Sequence, residues 1–336
     1  MRVLLGSLAG LTLVAAASYA VAFDLGEKPP EIDVTEWVQG DPVVLEALVG
    51  KKAVVVALWA SYSEPSKKAI PILSKLAEKY KDAIEVVGIS DEKPEEIKAF
   101  AKDGKFKFHV ACDGMRNTVV PYQKDVRGEK VPSAVVLDKT GVVVWQGNSF
   151  AELKGVVARV VAGKLDAEKA KAIQELRAKL DDSFESHAFG DAGVDADKLL
   201  EADPANQRGI EARIAVYGNA KDAKGLKAWT EKRLPLIDTD EIALNLVAWK
   251  LCTGENLAMR IPSLALKAAK RAVELSEGKD AAILDTLARV QYQTGQIAAA
   301  IETQTKAAAI EGAEESIKTA LEYYKACLEA GKSGGK

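Results

Sequence analysis

The sequence predicts an α/β domain, a central mixed sheet with flanking helices, followed by an all-α domain of paired helices. Three observations carry this reading. The run Ala53-Val54-Val55-Val56-Ala57-Leu58-Trp59 is continuously apolar, as a strand covered on both faces must be. A second run, Glu85-Val86-Val87-Gly88-Ile89, follows after one helix length and completes a β-α-β unit. Beyond Gly163 strand patterns stop, and alanine-rich segments of helical period take over. At 336 residues the chain has room for about two domains.

In the first domain, expected over residues 23–165, Lys51-Lys52 lead into the first central strand. Ser63 opens a helix reaching about Tyr80, with Ala69, Leu73, Leu76 and Tyr80 at helical spacing. Pro94 starts a short helix to Lys102, because proline suits a first helical turn. Phe106, Phe108, Val110 and Cys112 alternate with Lys107, His109 and Ala111, so residues 106–112 read as a strand with the first set facing inward. That places the Cys112 thiol in the core and His109 at the surface. Val131-Pro132-Ser133 precedes a hairpin of residues 134–137 and 142–145 around Asp138-Lys139-Thr140-Gly141. A helix from about Phe150 to Ala162, stopped by Gly163, closes the domain.

Between the first strand and its helix lies Trp59-Ala60-Ser61-Tyr62-Ser63-Glu64-Pro65-Ser66-Lys67-Lys68, with Pro71 one turn further on. This stretch resembles the active site of the thioredoxin superfamily, especially its extracytoplasmic TlpA/ResA-like branch, where a strand runs into W-A-x-W-C-x-P-C-K. Tyr62 stands at the second aromatic, and Ser63 and Ser66 stand at the two thiols. The resemblance implies a thioredoxin-like fold and a cis peptide bond at Val131-Pro132 facing the motif helix. It further implies a peptide groove lined by Trp59, Tyr62, Val131 and Pro132, with Val131 offering backbone hydrogen bonds. The family's thiol-disulfide exchange is another matter, since it needs a thiolate. A serine hydroxyl becomes a nucleophile only beside a general base. The chain holds only two histidines, His109 and His187, and no G-x-S-x-G elbow. The relic motif Ser63, Glu64, Pro65 and Ser66 is therefore expected to be structural, with no catalytic residue. Ser63 suits an N-cap accepting from the Ser66 amide, and Glu64 complements the helix dipole.

A charged helix from about Asp166 to Ala188 carries Ile173, Leu176, Leu180 and Phe184 on one stripe, continued by His187. Residues 166–190 read as a connecting helix, and Gly190-Asp191-Ala192-Gly193 as a loop. Residues 191–330 read as helical pairs: 205–217 with 223–236, then a pair marked by Leu244, Val247-Ala248, Ala265 and Ala272, then 281–309 broken at Gly295. Leu284, Leu287-Ala288, Gly295, Ala300 and Ala307 resemble a tetratricopeptide repeat, which implies a stack with its own core and a concave surface for peptide segments. A plain helical bundle is the alternative. A final helix, 314–328, covers the end of the stack, and residues 331–336 read as a flexible tail.

Hydrophobic residues make up 48% and charged residues 28%, with formal net charge -3, so no basic surplus points to nucleic acid. Met1-Arg2, an apolar run from Val3 to Ala17, and Ala20-Val21-Ala22 have the form of a signal peptide over residues 1–22, cleaved after Ala22. The expectation is an exported, periplasmic protein, or one with an N-terminal membrane anchor if the segment stays uncleaved. The cysteines are Cys112, Cys252 and Cys327, with no C-x-x-C, and the odd count leaves at least one unpaired. No cluster of His, Cys and carboxylates has metal-ligand spacing, so neither metal nor cofactor is expected. These readings favour a non-catalytic binder of envelope proteins or peptides, an adaptor or chaperone-like factor. The alternative is a thiol-disulfide oxidoreductase working outside the motif, with Cys112 as candidate reactive thiol.

Overall fold

A computed structural model describes residues 23–102, 106–123, 131–310 and 312–333, so the expected signal segment lies outside the described residues. Among these residues six strands, β1 (Glu36–Gln39), β2 (Ala53–Leu58), β3 (Ile84–Ser90), β4 (His109–Cys112), β5 (Ser133–Leu137) and β6 (Val143–Gly147), form one sheet in the order β1-β4-β3-β2-β5-β6. β2, β3 and β4 run parallel, while β1, β5 and β6 pair antiparallel, so the sheet is mixed. All six residues of β2 are buried. Val55 and Ala57 face one apolar cluster and Val54, Val56 and Leu58 face the other, which is why the run has no polar interruption.

Among the described residues, five helices belong to this half: α1 (Leu45–Leu48), α2 (Glu64–Lys79), α3 (Pro94–Ala101), α4 (Val119–Tyr122) and α5 (Phe150–Val161). Residues of α2, α3 and α5 cover one face of the sheet, among them Leu73, Ile97 and Leu153. Leu45 of α1 and Val119 and Tyr122 of α4, with Phe23, cover the other. The expected strand over 106–112 pairs only from His109, yet Phe106, Phe108, Val110 and Cys112 do bury together. β1, α1 and α4 have no counterpart in the sequence reading. β1 is half-buried along its whole length and carries a register shift between Trp37 and Gln39, so it shows no alternation.

The helical half comprises α6 (Ala167–Glu185), α7 (Phe189–Ala202), α8 (Gln207–Ala220), α9 (Ala223–Arg233), α10 (Glu241–Thr253), α11 (Pro262–Leu275), α12 (Ala281–Gln293), α13 (Ile297–Ala308) and α14 (Glu315–Ser333). Residues 190–193 are not a loop, because α7 runs through them. Of their two glycines, Gly193 serves a close approach: a Cβ there would lie 3.1 Å from Nη1 of Arg213 and 3.4 Å from Val216 on α8. The break falls earlier, at His187, whose φ of 58° turns the chain left-handed, so His187 does not extend the stripe of α6. Ser183 then donates to Asp195 at 2.8 Å and ties α6 to α7. At the far end Gly331 to Ser333 continue α14 and are not tail.

α6 packs as part of the core. Ala170, Ile173, Leu180 and Phe184 share one buried cluster with the sheet, and Ala196 and Leu199 of α7 and Ala212 of α8 join it. Leu200, the next residue, turns into a second cluster with Ile210, Val247 and Ala269. The core is thus continuous across the boundary expected near residue 165.

Candidate functional site

At the end of β2 the Trp59 amide makes a last ladder bond to the Ile89 carbonyl at 3.0 Å, and the chain then leaves the sheet. Ser63 sits in extended conformation as N-cap of α2, where its Oγ accepts from the Ser66 amide at 3.3 Å. The same hydroxyl donates to the Val131 carbonyl at 3.1 Å, beside the cis Val131-Pro132 bond. Ser66 is fully buried, and its Oγ accepts from the Ala60 amide at 3.2 Å. Both hydroxyls at the thiol positions are therefore engaged within the loop. Glu64 lies in the first turn, and a hydrogen bond and charge from Lys67, 2.6 Å away, hold its carboxyl below the usual range.

Glu92, absent from the sequence reading, organises the same loop. Its carboxylate accepts from the Ser61 amide at 2.6 Å, the Ser61 hydroxyl at 2.5 Å and the Ser90 hydroxyl at 2.9 Å. It follows β3, and the parallel order places the ends of β2, β3 and β4 along one edge of the sheet. Only that topology brings it to Ser61; no local spacing signals it.

The expected groove is corrected at two of its four residues. Trp59 is only 2% exposed and packs inward, its ring 5.1 Å from Phe106 and 5.8 Å from Phe100. The reason is Gly88: a Cβ there would lie 2.7 Å from Phe108 and 3.1 Å from Nε1 of Trp59, so the missing side chain makes room for the indole. Pro132 is buried as well, and Val131 is half-buried with its carbonyl taking the Ser63 hydroxyl. Tyr62 is 62% exposed. Met115, in the loop after β4, and Val120 on α4 are exposed too, so the edge that carries the motif also carries apolar surface.

Cys112 is fully buried, and desolvation, with Glu36 and Glu92 adding to it, pushes its thiol up to about 11. That is the opposite of a reactive thiol, so the structure does not support Cys112 as one. Cys252 is likewise buried and pushed up to about 11, while Cys327 is half-buried and accepts from the Tyr292 hydroxyl at 3.3 Å. His109 is more enclosed than a free surface histidine. Its Nε2 lies 3.2 Å from Glu85, which also binds Lys52 at 2.7 Å.

The mixed sheet, the capped motif helix and the cis proline opposite it together define a thioredoxin-like α/β domain. The AhpC/TSA family matches residues 25–146, within this half. The chain is 30% identical over 122 residues to the thiol-disulfide oxidoreductase ResA of Bacillus cereus, covering 36% of this chain and 67% of that protein. It is 26% identical over 152 residues to the thioredoxin-like protein YneN of Bacillus subtilis, covering 40% and 85%. Among solved structures, the solution structure of a thioredoxin-like protein in the oxidized form shares 26% identity over 42% of this chain and 99% of that one, with a TM-score of 0.37. A thiol-disulfide isomerase from Corynebacterium glutamicum shares 23% identity over 39% and 96%, with a TM-score of 0.33. The chain belongs to this family of thioredoxin-like proteins.

Proposed function

We propose that the chain is an exported, redox-inactive thioredoxin-like protein that binds other proteins or peptides as an adaptor or chaperone-like factor, its tetratricopeptide-like helical half supplying part of the binding surface. The carrying observation is the double engagement of Ser63 and Ser66. Ser63 caps α2 and reaches Val131, and Ser66 satisfies the buried Ala60 amide, so each hydroxyl holds the loop in place. Neither has a histidine among these partners to act as a base. The exposed Tyr62, Met115 and Val120 supply apolar contact at the same edge. Export rests on the signal-like segment over residues 1–22; no helix among the described residues is long and apolar enough to cross a membrane.

Affinity capture from the native envelope, with and without dithiothreitol, tests the binding role. Capture of the same partners in both conditions, weakened by Tyr62→Ala, is the expected result. Partners held only through a reducible bond would favour the second reading, a thiol-disulfide oxidoreductase, to which the name of the Bacillus cereus relative lends weight.

A further inference from the structure

The helical half meets the α/β half through two unlike seams. The apolar seam lies around Leu180 and Leu199. The other seam is ionic, and its charges are sorted by side. Lys68, Lys75, Lys79, Lys154 and Arg159 come from α2 and α5, and they face Glu314, the Lys279 carbonyl, Glu241, Asp280 and Asp203 of the helical half.

This ionic seam encloses a cleft of about 470 Å³, between α2 and α5 on one side and the ends of α10, α11 and α12 on the other. That volume falls in the range of about 300–1,000 Å³ usual for small-molecule sites, and domain interfaces are a preferred place for them. Leu76 and Tyr80 of α2 and Leu275 of α11 line it with apolar surface. The pairs that cross it are unequal. Lys154 closes on Asp280 at 2.6 Å, whereas Lys79 stands 3.8 Å from Glu241, and Lys75 donates to the neutral Lys279 carbonyl at 2.9 Å. Away from the cleft, Glu152 of α5 takes Arg177 of α6 at 2.7 Å with the opposite polarity, and within the cleft two charges break the sorting. Lys279 on the helical side is closed on Glu277, and Glu78 lies on α2. Asp240 is engaged at its own helix end, accepting from the Ile242 and Ala243 amides.

An isolated anion at Lys75 and Lys79 would face Glu241, and an isolated cation at Glu241 would face the lysines, so either leaves one wall in repulsion. A dipolar molecule matches both walls. We propose that this cleft binds a small zwitterion with an apolar body, an amino acid or dipeptide with branched or aromatic side chains. Its carboxylate lies toward Lys75 and Lys79, its ammonium toward Glu241, and its body against Leu76, Tyr80 and Leu275. Because the walls belong to different halves, the ligand also fastens one to the other.

Titration calorimetry on the full chain with leucyl-leucine, its C-terminal amide and its N-acetyl derivative tests this. The free dipeptide should bind saturably and each blocked form about tenfold more weakly, the scale of one lost charge-assisted hydrogen bond. Lys79→Gln should abolish the preference over the amide, and Glu241→Gln the preference over the N-acetyl form. Ala158→Leu, which narrows the cleft, should weaken all binding. Absence of saturable heat, equal binding of the three compounds, or preferences unmoved in Lys79→Gln and Glu241→Gln would each overturn the proposal. Lys79 is half exposed, so its variant keeps the test valid even where Ala158→Leu disturbs folding. None of these outcomes bears on thiol chemistry at the motif, so failure here and failure of the binding role above are separable.

Discussion

The sheet of the α/β half is filled by Val54, Val55, Val56, Ile89 and Val110, whereas in the stack of α10 to α13 Ala243, Ala248, Ala265, Ala269 and Ala300 alternate with Leu244, Val247, Leu251 and Ile283, all of them buried. The valines remove large apolar areas from water, at about 0.8 kcal/mol per buried CH₂. Each alanine removes little, and its use is to let helix backbones approach. Both halves are therefore sensitive to lost volume, and the stack is in addition sensitive to added volume at its alanine contacts. Between them lies a stretch of α6 to α8 whose Leu180, Phe184 and Leu199 bury in the cluster of the sheet, so that the two halves share one core there.

That joint gives the largest expected effect. Leu199→Ala should cost about 2–5 kcal/mol, the range for a buried leucine that leaves a cavity. Because the residue is shared, sheet and helices should melt in one transition monitored by near- and far-ultraviolet circular dichroism. Separate transitions in the parent protein would show that the halves hold independent cores. Ala269→Leu tests the opposite sensitivity. Overpacking of that fully buried site should cost about 1–3 kcal/mol by urea unfolding, and a neutral outcome would mean the stack is looser than its alanines imply.

At the motif, Ser66→Ala should cost about 1–3 kcal/mol by the same measurement, since it leaves the buried Ala60 amide without an acceptor. A smaller contrast concerns the ionic seam. Burial alone would raise the Asp280 carboxyl, but the charge and hydrogen bond of Lys154, the Ile283 amide and the charge of Lys75 outweigh it and leave it below its ordinary value. A carboxyl lowered in the folded state contributes stability that is complete above its unfolded pKa and is lost as pH falls through the folded value. The seam should therefore hold above about pH 4 and loosen below it. Asp280→Asn should abolish that acid-dependent step in proteolysis between the halves while leaving the apolar joint intact.

How much was legible in the sequence follows the same division. β2, α2 and β3 were readable because a two-sided strand and a capped helix each leave a local pattern, and the Ser63 cap matched its expected partner, Ser66. The loop assigned to residues 190–193 failed because glycine has two uses, breaking helices and admitting neighbours, and Gly193 has the second. Trp59 was expected to line the peptide groove because the family's motif was read without Gly88, which opens the interior to it. Glu92 and the cleft were invisible for one reason. Glu92 reaches Ser61 across 31 residues, and Lys154 reaches Asp280 across 126, so only the fold brings them together.

The central claim is that the motif has kept its scaffold and exchanged its chemistry for two local hydrogen-bonding roles. Insulin reduction, followed by turbidity in the presence of dithiothreitol, tests it most directly on the parent chain, on Cys112→Ser, and on Ser63→Cys combined with Ser66→Cys. The account predicts background rates for the first two and accelerated reduction for the double variant, whose thiols would stand at the N-terminus of α2. Reduction by the parent chain that disappears in Cys112→Ser would contradict it.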